Sequence, residues 1–104
     1  MSEGRSDSPE ARQRAIELLE SQHDFPGDFT VAVIALNDEK VAAAVLAAAA
    51  EGLGGPLGEG AHEQHPSAQG KYVSHRLKVP CATAEEVLAL YARLRAVDGV
   101  ITIM

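Results

Sequence analysis

Four side chains have the chemistry to hold a metal ion or to act as a nucleophile: His62, His65, His75 and Cys81. Three imidazoles and a thiolate could satisfy zinc, and His62-x-x-His65 is a ligand-like spacing. Geometry argues against it. The segment around the pair reads as a short strand, where residues three apart point to opposite faces, so His62 and His65 do not converge. His75 has the parity of a core residue, as expected of a histidine near the sheet edge with one hydrogen-bonded nitrogen. Structural zinc also comes with closer paired ligands, so neither a metal nor another cofactor is expected. Cys81 follows Pro80 just ahead of a helix start, where the dipole can lower a thiol pKa. No base can be assigned to it, and a lone small cysteine is more often packing. No catalytic residue is assigned, and the chain is expected not to be an enzyme.

Other chemistries are excluded by pattern. Gly54, Gly55, Pro56, Gly58 and Gly60 make a glycine-rich stretch, but it follows a helix and lacks the Gly-Lys-Ser/Thr of a phosphate-cradling loop; it reads as a flexible connection. The net charge of −6 disfavours non-specific binding to nucleic acid or anionic membranes. The longest apolar run, Val41 to Ala50, is too short to span a bilayer. Met1 to Asp7 has no basic start followed by an apolar stretch, so no secretory signal is expected. One cysteine suits a reducing compartment. The expectation is a cytoplasmic protein with no nucleic-acid or membrane partner.

The elements that must position these residues are legible in order. Residues 1–7 hold nothing to bury and are expected to be disordered. Residues 8–24 read as an N-terminal helix, with Ser8 as N-cap and Pro9 in the first turn. Its apolar stripe (Ala15, Ile16, Leu18, Leu19) is narrow, so its stability depends on docking. Phe29 to Leu36 alternates between two largely apolar faces, as a central strand does. Asn37 or Asp38 caps a helix running to Ala50 with a stripe of Val41, Ala44, Val45 and Ala48, closed at Gly52 by a left-handed cap. Ala61 to His65 is a weak edge strand, and Pro66 to Gly70 is a turn. Lys71 to Val79 is a strand with Val73, His75, Leu77 and Val79 inward, broken by Pro80. Thr83 and Glu86 form a capping box ahead of a helix carrying Val87, Leu90, Tyr91 and Leu94. Val100 to Met104 is the last strand.

This order predicts an α+β, ferredoxin-like βαββαβ fold. A four-stranded antiparallel sheet has two helices on one face and is preceded by an extra N-terminal helix. The first and third strands are central, and residues 25–104 form the domain. Expected core residues are Val31, Val33, Val41, Val45, Val73, Leu77, Val79, Val87, Leu90, Leu94 and Val100.

Phe25-Pro26, Phe29-Thr30, the Pro66-Ser67-x-x-Gly70-x-Tyr72-x-Ser74 turn and strand, and Glu86-x-x-x-Leu90-Tyr91 carry a further signal. With the terminal apolar strand, they make the chain from Phe25 to Met104 resemble the YbeD-like family of small bacterial proteins of unknown function. The resemblance implies a ferredoxin-like fold close to that of ligand-binding ACT regulatory domains; some members carry the label of lipoate-related regulators. It implies no catalytic residues. An ACT-type site uses a glycine between first strand and first helix, where this chain has Leu36-Asn37-Asp38, so that motif is not present.

The remaining candidate is the open face of the sheet. Tyr72, Ser74, Arg76 and Lys78 are expected as a polar, basic stripe. Ile34 and Leu36, with Ile101 and Ile103 if the last strand alternates, are expected as an apolar patch beside it. The face offers Tyr72 as its one aromatic and lacks the Lys/Arg-Gly-aromatic run of RNA-binding sheets of this fold. Either the N-terminal helix folds back over the patch, or the patch receives a partner. The expected function is a non-enzymatic regulatory or protein-interaction module, forming a homodimer or an oligomer sensitive to the N-terminal helix. The alternative is a sensor of a small carboxylate, a lipoate-related acid among the candidates, bound near Arg76 and Lys78.

Overall fold

Two ten-residue strands, β1 (Gly27–Leu36) and β3 (Tyr72–Cys81), pair antiparallel along their whole length, Gly27 opposite Cys81 and Leu36 opposite Tyr72. The computed structural model describes residues 8–53 and 55–104; the tail expected over 1–7 lies outside them, as does Gly54. The edge strands are β2 (His62–Pro66) beside β3 and β4 (Val100–Ile103) beside β1, giving the order β2-β3-β1-β4. Among the described residues the three helices are α1 (Pro9–Gln22), α2 (Glu39–Ala50) and α3 (Ala84–Arg95). The fold is α+β with ferredoxin-like character.

Local chemistry sets most boundaries. Ser8 caps α1 by accepting from the Ala11 N–H at 3.1 Å. Asp38, not Asn37, caps α2, accepting from the N–H groups of Lys40 and Val41. Asn37 is used elsewhere: its amide donates to the Gly70 carbonyl at 2.9 Å, pinning the β2–β3 turn to the end of β1. Thr83 caps α3 by accepting from Glu86 N–H, and Glu86 accepts from the N–H of Ala82, one residue before the expected place.

Three boundaries differ from expectation. Gly52 does not adopt a left-handed conformation; the chain leaves α2 through i→i−3 bonds from Glu51 to Ala48 and from Leu53 to Ala50. Pro80 does not break β3, which continues to Cys81. Lys78 N–H donates toward Ala61 at the β2 edge, so the imino nitrogen of Pro80, two residues on, faces a side that β2 no longer reaches and costs no ladder bond. The third is in β4. Ile34 faces Thr102 but Ala35 faces Val100, so Ile101 is an extra residue in a bulge.

The core lies between the inner face of the sheet and the helices. Phe29, Val31 and Val33 of β1, Leu77, Val79 and Cys81 of β3, Val45 and Ala49 of α2, and Val87, Leu90 and Leu94 of α3 form one cluster. Val73 is also buried; Val41 and Val100 are half-buried and pack on the cluster's edge. The α1 helix joins this layer from outside: Ile16 is buried, Leu19 packs against the core, and His23 meets Phe29 edge-on with ring centres 5.0 Å apart. It docks on α3, and His23 after it meets Phe29 at the start of β1, away from the sheet's open face. Of the two alternatives for that face, cover by the helix is not the one adopted: Ile16 and Leu19 face the core layer, and Leu18 stands in solvent.

Two substitutions test this packing. Leu90→Ala empties a fully buried site and is expected to cost about 2–5 kcal/mol in urea unfolding. Gly99 has φ +97°, and a Cβ there would meet Val41 Cγ2 at 2.7 Å. Gly99→Ala is therefore expected to lower Tm, whereas Gly55→Ala, with nothing near its Cβ, should leave it unchanged.

Candidate functional site

The register of the sheet orders its open face into rows. Thr30 lies opposite Lys78, and Ala32 opposite Arg76. Ile34 lies opposite Ser74, and Leu36 opposite Tyr72. On the outer side of β3, Glu63 faces Arg76 and His65 faces Ser74. On the outer side of β1, Thr102 faces Ile34, and Met104 exchanges both backbone hydrogen bonds with Ala32. The face is thus charged toward β2 and apolar toward β4, with Arg76 and Lys78 exposed and Ile34, Tyr72 and Ser74 half-buried.

The expected patch of Ile34, Ile101 and Ile103 is not formed. The bulge at Ile101 shifts the alternation, so Ile103 stands opposite Val33 on the inner face and packs against the core. Ile101 remains exposed at 57%, unpaired in the ladder. Ile34, Leu36 and Met104, the last 68% exposed, supply the apolar half instead. Beside Arg76 and Lys78, a cleft of about 160 Å3 is bounded by Thr30, Ala61 and Glu63.

On the inner face lies an arrangement that residue spacing did not disclose. His62 and His65 diverge as expected, His65 toward Glu63 on the open side. His62, however, meets His75. Its Nε2 stands 2.9 Å from His75 Nδ1, in nearly parallel planes inclined by 18°. Ring centres 5.1 Å apart are beyond the roughly 3.5–4.0 Å of face-to-face contact, so the rings meet through their nitrogens. They come together because β2 and β3 place His62 opposite Leu77, one inward position from His75. A signal was available in principle: an inward His on each of two neighbouring strands, once the register is known.

His75 is wholly buried, and among the described residues its Nε2 has no hydrogen-bond partner. Burial pushes its pKa below the ordinary value near 6.5, and the neighbouring His62 lowers it further; burial alone lowers His62. The pair is therefore held neutral with one proton between the facing nitrogens. A tetrahedral zinc held at about 2.0–2.1 Å from each nitrogen would set them roughly 3.3–3.4 Å apart, wider than the 2.9 Å at which these two share a hydrogen bond. Among the described residues no group of three or more His, Cys, Asp and Glu is placed to hold a metal ion. Cys81 lies buried in the core, and burial, followed by the carboxylate of Glu86, pushes its thiol up, away from a reactive thiolate. Among the described residues no helix is long and apolar enough to cross a membrane.

A family model described as a protein of unknown function, DUF493, matches residues 20–104. The match begins inside α1 and takes in the whole sheet. The YbeD-like proteins fall within that family. No curated protein matches the chain.

The imidazole pair makes stability depend on pH. Below about pH 6.5 the unfolded chain's histidines take up protons that the folded pair refuses. Stability is thus full above that value and falls as pH drops toward the depressed pKa of the folded pair. Urea unfolding at about pH 8 and about pH 5.5 should show this loss, and the double variant His62→Phe, His75→Leu, which replaces both partners of the bond, should remove most of it while costing little at the higher pH. An unchanged slope in the double variant would assign the loss to other groups.

Proposed function

The chain belongs to the DUF493 family, and we propose that this member is a non-enzymatic, regulatory protein-interaction module acting through the open face of its sheet. One observation carries the reading. All three helices pack on the inner side, leaving Ile34, Leu36 and Met104 in contact with solvent beside Arg76 and Lys78. A contiguous apolar strip bordered by cations, on a chain of net charge −6, is suited to a docking surface. The first partner is a second copy, in a homodimer that covers the apolar half of each face. We place the protein in the bacterial cytoplasm, which suits its single free cysteine.

A second reading is supported by the cleft at Thr30, Arg76 and Lys78. A small carboxylate, with a lipoate-related acid as one example, would meet two cations there against the single carboxylate of Glu63. The module would then be a sensor domain, with ligand and partner sharing one face.

Light scattering and a thermal-shift series separate the two. The dimer reading expects the intact chain to associate and Ile34→Lys, facing solvent from a central strand, to be monomeric with unchanged circular dichroism. A chain that stays monomeric at high concentration overturns it. The sensor reading expects saturable stabilisation by a carboxylic acid that the Arg76→Met, Lys78→Met double variant loses.

A further inference from the structure

The inner side of the sheet holds a feature that docking on the open face does not use. A cavity of about 400 Å3 lies between α2 and the segment leading into β2. Its walls include Leu46, Ala47 and Ala50 of α2, Pro56 and Leu57 of the segment, and His62. We propose that this cavity binds a small uncharged apolar molecule bearing one oxygen acceptor, which takes a hydrogen bond from the His62 ring.

The volume is within the roughly 300–1,000 Å3 of small-molecule sites. Leu46 and Leu57 also pack against the core, so these walls are tied to the fixed part of the molecule. Their chemistry selects the occupant. No lining side chain is charged, and burial holds His62 neutral. A carboxylate or an ammonium would lose its water here with no opposite charge to meet. The acids next to lining residues are engaged elsewhere: Glu59 lines a different cleft with Asp28 and Lys78, Glu63 lies beside Arg76, and Glu51 pairs with Arg93.

The imidazole pair sets the polarity of the hydrogen bond. Nε2 of His62 is committed to Nδ1 of His75, and among the described residues its Nδ1 has no hydrogen-bond partner. The shared proton has two placements. If His62 donates to His75, then His75 carries its other proton on Nε2, a buried N–H without a partner. If His75 donates, its Nε2 is a bare lone pair, and His62 holds its proton on Nδ1. Orphaned buried N–H groups are the rarer kind, so the second placement is the one adopted. His62 then offers a donor, and a ligand oxygen without a proton of its own is its complement. The wholly buried His75 fixes this polarity by accepting no proton from within the core.

Cyclohexanone has this chemistry: an apolar ring, one acceptor oxygen and no charge. The full chain, labelled at leucine methyls and histidine nitrogens, is titrated by NMR. The expected result is a saturable shift of the Leu46 and Leu57 methyls and of His62 Nδ1, with none from cyclohexanecarboxylate at equal concentration. Ala47→Phe, at an exposed α2 position, should fill the cavity and abolish the shift. His62→Phe should weaken binding by up to about tenfold, the worth of one hydrogen bond. Shifts that fail to saturate, that persist in Ala47→Phe, or that the carboxylate reproduces would overturn the proposal. Light scattering of the same samples is indifferent to each of these outcomes, so the open-face reading stands or falls separately.

Discussion

The ten-residue register between β1 and β3 decides which side chains meet the helices and which meet water. Side chains alternate along a strand, so a slip of one residue would exchange every inward group for an outward one. In the register adopted, Val31 meets Leu77 and Phe29 meets Val79 beneath the helices, while Ala32 meets Arg76 and Thr30 meets Lys78 above. The slipped sheet would bury Arg76 and Lys78 and expose Leu77 and Val79. Asn37 locks the register from the turn, because its bond to Gly70 holds the end of β1 against the start of β3. Arg93 secures the helix layer in turn, donating from Nε to the Ala48 carbonyl at the end of α2.

The same register forces a polar side chain into the core. His75 sits between the inward positions of Val73 and Leu77, and among the described residues its Nε2 has no hydrogen-bond partner. A lone imidazole there would leave both nitrogens unpaired. The neighbouring edge strand supplies the remedy: His62 turns inward and satisfies one of them. Half-satisfaction has consequences of its own, since the low dielectric that strengthens the N–H···N bond also penalises a second proton. The pair thereby ties the five-residue, otherwise polar β2 to the body of the sheet.

Much of this was legible from residue types alone, for stated physical reasons. Period-two alternation exposed both central strands, and Ser8, Thr83 and the Asn37–Asp38 pair announced the helix starts. Two features escaped because they depend on pairing rather than pattern. A bulge has no mark in Val100-Ile101-Thr102-Ile103, a uniform run, and one extra residue moved Ile103 from the expected open face to the core. The contact of His62 with His75 needs the β2–β3 register, which lies across a turn. The docking of α1 was undetermined for a different reason: a narrow stripe of Ile16 and Leu19 fits either side of a sheet, and the contacts that fix its side, with α3 and of His23 with Phe29, lie outside the pattern of the helix itself.

The two faces are energetically separable, and that bears on how a site can arise here. Inward positions are close-packed, so a change at Leu77 or Leu90 is felt through the cluster. Outward positions on the same strands share their backbone but not that packing. Arg76 and Lys78 flank Leu77 in sequence, yet their side chains are free to be chosen by what binds. The cavity beside His62 is intermediate, because Leu46 and Leu57 serve both its wall and the core's rim. A ligand there would press on side chains that the fold also uses, whereas a partner on Ile34 and Leu36 would meet a surface on which the helices place no demand. By mass action a ligand on either side would raise apparent stability, but only the one on the inner side would also press on packing that the core uses.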